Sequence, residues 1–126
     1  MKKNSLALAC NLFVLCFSLS CSQFNDHDIH IQVNDSDHYY KIVAHFNKSQ
    51  TRNVERYMDD KIGRSNNMSF VNTRIDGQLS LDDHTVFYIK KYPGFVEIKL
   101  DKDKNSDEAY YKMKSMGEGI KKVLTQ

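Results

Sequence analysis

The stretch Val86-Phe87-Tyr88-Ile89-Lys90-Lys91-Tyr92-Pro93-Gly94-Phe95-Val96-Glu97-Ile98-Lys99-Leu100 decides the fold. Pro93 is the only proline of the chain. Its fixed φ followed by a residue that accepts φ > 0 is the chemistry of a tight turn. Folding the chain back at Pro93-Gly94 sets Ile89 opposite Ile98 and Phe87 opposite Leu100 on one face. Lys90 then meets Glu97 on the other. Cross-strand pairs of this kind support the register at about a few tenths of a kcal/mol each. The result is an antiparallel hairpin with one apolar face, which needs a cover.

Working outward, the same alternation extends to both sides. Residues 69–101 read as a meander of four strands. Asp76-Gly77 signals its first turn, a three-residue loop that pairs Thr73 with Leu79 and Val71 with Leu81. Asp82-Asp83-His84 closes the second turn and Pro93-Gly94 the third. Upstream, Ile29, Ile31 and Val33 alternate with His30 and Gln32, and Asn34-Asp35-Ser36-Asp37 supplies turn residues. A strand from His38 to Phe46 follows, so that Val33 faces His38, Ile31 faces Tyr40 and Ile29 faces Ile42.

Two segments switch to a helical period. Over Ser49–Ile62, Thr51, Val54, Met58 and Ile62 recur at spacings of three and four, with Ser49 as cap and Gly63 at the C′ position. From Asp107 to about Leu124 the stripe is Ala109, Met113, Met116, Ile120 and Val123–Leu124. Ser106 is its N-cap, and Asp107 and Glu108 sit where the helix dipole favours them. Gly117 and Gly119 cost this helix about 1 kcal/mol each relative to Ala, which points to a close crossing over the sheet or a bend.

The order is ββ-α-ββββ-α, an α+β fold in which an antiparallel sheet of about six strands carries two helices on one face. It forms a single domain over residues 28–126. The expected core is Ile29, Ile31, Ile42, Val54, Met58, Val71, Leu79, Leu81, Ile89, Ile98, Leu100, Met113, Met116 and Ile120.

The N-terminus carries an address. Lys2 and Lys3 precede an apolar run from Leu6 to Leu19, and Ser18-Leu19-Ser20 presents small residues before Cys21. A run this short suits a cleaved signal, because a membrane-spanning helix needs about 20 residues. All 3 cysteines, Cys10, Cys16 and Cys21, lie here, so cleavage before Cys21 leaves one thiol with no partner in the chain. Residues 1–21 resemble the signal of bacterial lipoproteins. The resemblance implies a signal peptide over residues 1–20, lipidation of Cys21 and a tether over residues 21–27. Two acyl chains anchor stably, each buried CH₂ contributing about 0.8 kcal/mol. Ser22 after the cysteine, where enteric bacteria use Asp for inner-membrane retention, implies the outer membrane. Ser18 stands where the usual motif has Leu, and the same bond suits ordinary signal peptidase.

Cleavage also removes Lys2 and Lys3, which leaves 16 basic residues against 16 acidic ones. A mature chain of zero net charge without a basic stripe does not read as a nucleic-acid binder.

Candidate chemistry is sparse. Asp26-His27-Asp28-Ile29-His30 is the densest group of metal-ligand types, with His27 and His30 as the candidates, although a solvated strand start accounts for it. His45 shares the polar face, but the register above puts it nearer residue 26 than residue 30. Asp83 and His84 are an acid–base pair on paper, yet a hairpin turn offers no pocket. Asp101, Asp103, Asn105 and Asp107 alternate like Ca²⁺ ligands without the glycine and distal Glu of an EF-hand loop. No glycine-rich phosphate loop or nucleophile elbow exists. Tyr39, Tyr88, Tyr92 and Phe95 fall on the face opposite the core, which reads either as an interaction surface or as rings that cover their own strands or are buried by a longer, wrapping sheet. The chain therefore reads as a non-enzymatic, membrane-tethered envelope protein without a cofactor, acting as a binding, accessory or immunity-type module. Its surface would take a protein partner. The alternatives are a small-ligand or metal-binding periplasmic protein and a small hydrolytic enzyme.

Overall fold

The computed structural model describes residues 29–126. The signal, Cys21, the tether and His27 lie outside the described residues.

Five strands form one antiparallel sheet: β1 (His30–Asp35), β2 (Tyr39–His45), β3 (Ile75–Ser80), β4 (Val86–Tyr92) and β5 (Phe95–Asp101). Their spatial order is β1-β2-β5-β4-β3. Two helices, α1 (Thr51–Met58) and α2 (Asp107–Thr125), cover one face. The Pro93-Gly94 hairpin is as expected, with Ile89 paired to Ile98, Lys90 to Glu97 and Tyr92 to Phe95. Gly94 adopts φ 83°. The turn docks on the start of α1, where the Gly94 N–H donates to Thr51 Oγ1 at 3.0 Å.

The sheet has five strands rather than six because Asp76-Gly77 does not turn. Both residues lie inside β3, Gly77 opposite Ile89 and Leu79 opposite Phe87. The reversal comes earlier, at Asn72 with φ 58°, where the Thr73 hydroxyl donates to Phe70 O at 2.9 Å. Phe70 is buried, and its N–H donates to Asp59 Oδ1, so this loop is held by long-range contacts. The pairs Thr73–Leu79 and Val71–Leu81 therefore do not form, and Val71 and Leu79 are only half-buried.

The first hairpin keeps its faces but slides in register. Val33 pairs with Ile42 and Ile31 with Ala44. The strand continues through Asn34 and Asp35, and Ser36 makes the turn, its N–H donating to Tyr39 O at 2.9 Å. Asp35 is drawn away from turn duty by Lys102 Nζ at 2.8 Å and the Tyr110 hydroxyl at 2.6 Å. The slide carries Ile29 from its expected place opposite Ile42 to a point ahead of the His30–His45 pair, and Val33 stands on the edge strand of the sheet. Ile31 stays half-buried, but Ile29, expected in the core, is 37% exposed and Val33 50%.

Helical backbone also runs past Gly63, through a π turn at Asp59–Gly63 to a 3₁₀ turn ending at Asn66. Asn67, at φ 56°, is the left-handed terminator, and Asn47 rather than Ser49 caps the start. Helix α2 is capped as expected by Ser106, which accepts from the Ala109 N–H at 3.1 Å. The other expected core residues are buried: Ile42, Val54, Met58, Leu81, Ile89, Ile98, Leu100, Met113, Met116 and Ile120. Tyr40, Phe70 and Phe87 join them as the largest fully buried side chains.

Candidate functional site: the helix-free face of the sheet

Alternation along five strands sends every second side chain to the face the helices leave open. The registers order these side chains into rows across the strands. One row runs Tyr92–Phe95–His45–His30 over β4, β5, β2 and β1. Four rings thus stand side by side at one edge of the face. Tyr92 stacks on Phe95 with centroids 4.7 Å apart and planes within 9°. His45 meets Phe95 edge-on at 4.8 Å and 66°. This sandwich covers Phe95, which is 7% exposed. Phe95 thus lies on the expected face but is not open to solvent, because its neighbours close over it. Tyr92 offers the accessible ring.

The next row, Lys90–Glu97–Val43–Gln32, is mainly polar. Beyond it, Tyr88 faces Lys99, which faces Lys41. Tyr88 donates to Asp76 Oδ1 at 2.7 Å. That hydrogen bond to a carboxylate is the main reason its hydroxyl is pushed up to about 12. Lys99 Nζ lies 4.9 Å from the centroid of the Tyr39 ring, a cation–π contact, and Asn34 donates to the Tyr39 hydroxyl at 3.1 Å. The four expected surface aromatics therefore do share one face, in two groups separated by a charged row.

The other candidate clusters resolve into structural contacts. Asp83 accepts from Lys112 Nζ and from the Thr85 N–H. The Lys112 contact holds its carboxyl down at about 2, far from the near-neutral value a general base needs. His84, at φ 71°, occupies the left-handed position of the same turn. Asp101 caps the following turn by accepting from the Asp103 N–H at 2.9 Å. Asn105 both accepts from the Val86 N–H and donates to Val86 O. Among the described residues no three of His, Cys, Asp and Glu converge in a way that could hold a metal ion.

Two features escaped sequence reasoning. Lys91 is buried beneath the helices, with Nζ 2.5 Å from Glu55 Oε2 and 2.5 Å from Thr73 O. The Phe87-Ile89-Lys91 alternation already placed that lysine on the core face. The second is the pairing of His30 with His45, concealed by the register slide. Comparison with protein-family models, curated proteins and solved structures gives no significant match. No described helix is long and apolar enough to cross a membrane.

Proposed function

We propose that this chain is a lipid-anchored envelope protein, tethered through Cys21 to the outer membrane, and that it acts as a non-enzymatic binding, accessory or immunity-type module. The helix-free sheet face is its partner surface. What carries the reading is the joint occurrence of a lipoprotein-like leader and an open face bearing Tyr39, Tyr88 and the Tyr92–Phe95 stack. Tyrosine is enriched in interface cores because it offers a large, rigid contact with a polar tip. The charged row between the two groups would supply register and specificity toward an envelope protein.

A photo-crosslinking residue placed in vivo at Tyr92 or Tyr88 tests the surface. These sites should yield one discrete adduct, the one from position 88 weakened by Tyr92→Ala and the one from position 92 by Tyr88→Ala, whereas the same residue at Tyr111, 64% exposed on α2, should not. Adducts from Tyr111 alone, or from all three sites equally, would refute it. The anchor is tested with a palmitate analogue. Cys21→Ala should lose the label and leave the membrane fraction; a variant that labels and sediments like wild type ends the lipoprotein reading.

A further inference from the structure

We propose that His30 and His45 form a surface site for a divalent transition-metal ion, with Cu²⁺ the tightest binder. The two histidines are direct partners in the β1–β2 ladder, and both project to the helix-free face. Residues opposite each other in an antiparallel pair have Cβ atoms about 4.5–5.5 Å apart. Two imidazoles on such a base can converge on one ion at the usual metal–nitrogen distance of about 2.0–2.1 Å. The arrangement is partly built in advance. The edge-on contact with Phe95 restricts the His45 ring, so less rotamer freedom is lost on binding.

The surroundings suit a cation. A concave site of about 370 Å³ is lined by His30, Gln32, Val43 and His45, with no lysine or arginine among them. Gln32 adds an amide oxygen beside the histidines. All cysteines of the chain lie within its first 21 residues, so the donors here are nitrogen and oxygen. Imidazole donors suit Cu²⁺, Ni²⁺ and Zn²⁺, and affinity for a given set rises to Cu²⁺. Two protein ligands leave the remaining positions to solvent. The ion would therefore be exchangeable rather than structural, and the site goes beyond the partner surface while sharing its edge.

The test uses the full-length chain in detergent, titrated with Cu²⁺ and Zn²⁺ by calorimetry, with electron paramagnetic resonance of the Cu²⁺ form. Wild type should bind one ion with nitrogen hyperfine structure. His45→Ala and His30→Ala should each lose that binding and simplify the hyperfine pattern. His84→Ala, in the distant turn, and Tyr88→Ala, on the partner surface, should bind as wild type does. Unchanged binding in His45→Ala overturns the site, as does loss confined to His27→Ala, which would place the ion in the tether. Should His45→Ala fail to fold, loss of binding in His30→Ala together with unchanged binding in His27→Ala decides the matter in the same way.

Discussion

A β-carbon added to Gly117 would sit 2.1 Å from the hydroxyl oxygen of Tyr40. Helix α2 thus lies directly against the sheet, and the glycine that its propensity disfavours is what lets it do so. Tyr40 is buried and burial pushes its hydroxyl up to about 12. Further along the helix, a β-carbon on Gly119 would sit 1.6 Å from the Tyr57 hydroxyl. Tyr57 is only half-buried and can swing outward. In an isolated helix either Gly→Ala change would gain about 0.8–1 kcal/mol, whereas overpacking a filled site costs about 1–3 kcal/mol. Gly117→Ala should therefore destabilise the protein, and by more than Gly119→Ala, in urea unfolding. Equal effects, or a gain at Gly117, would show that the crossing is looser than described.

The Glu55–Lys91 pair gives a second expectation. Both side chains are buried, Lys91 at 2% exposure, and Glu55 also accepts from the Asn72 N–H at 3.3 Å. Removing one partner leaves a charge uncompensated in the core, which costs about 3–5 kcal/mol. Glu55→Leu and Lys91→Met should each lower the unfolding free energy by that order. The double substitution Glu55→Leu with Lys91→Met should recover much of the loss, since apolar replacement of a buried pair is often neutral. Additive losses in the double variant would contradict this account.

What was legible in the sequence was which face each strand residue takes, because a period of two survives any even shift in register. Ile31, Val33, Tyr40 and Ile42 share a face in the expected pairing and in the observed one alike. The turns were legible only where the chemistry is local. Pro93-Gly94 fixes its own φ values, and Asp82-Asp83-His84 closes with the Leu81 N–H donating to Thr85 O at 2.8 Å. Asn34-Asp35 and Asp76-Gly77 are as turn-prone in composition, but distant residues overrule them. Asp35 is held by Lys102 and Tyr110, while Asp76 accepts from Tyr88 and stays in its strand. That long-range control moved Ile29 out of the core and brought His45 opposite His30. The aromatic face was visible from the start; the row of four rings was not, because it depends on the register of three strand pairs at once.

The slide in register can be checked by stability alone. Leu100 is fully buried at the centre of the core, whereas Ile29 is 37% exposed, ahead of the His30–His45 pair. Leu100→Ala should cost about 2–5 kcal/mol, and Ile29→Ala should fall within about 0.5 kcal/mol of wild type. In a sheet paired Val33 to His38, Ile29 would instead lie opposite Ile42, which is fully buried. A loss at Ile29 comparable with that at Leu100 would therefore restore that register.

Acid should weaken the Asp83 turn in a defined window. The carboxyl has an ordinary value of 3.8 and is held at about 2 in the folded protein, chiefly by the Lys112 ammonium. A group bound more tightly as its anion in the folded state adds stability above its unfolded value, and loses it as pH falls through the folded one. The contribution is thus complete above about pH 4 and gone by about pH 2. Asp83 is about half exposed, and pairs at such sites are worth at most about 1 kcal/mol after screening. Lys112→Met should therefore lower the urea midpoint slightly at pH 7, and the gap to wild type should close as the pH approaches 2. Asp35, also lowered, chiefly by its hydrogen bond to Lys102, titrates in both proteins and drops out of the difference. A gap that stays constant from pH 7 to pH 2 would mean that Lys112 stabilises the turn through packing of its chain rather than through its charge.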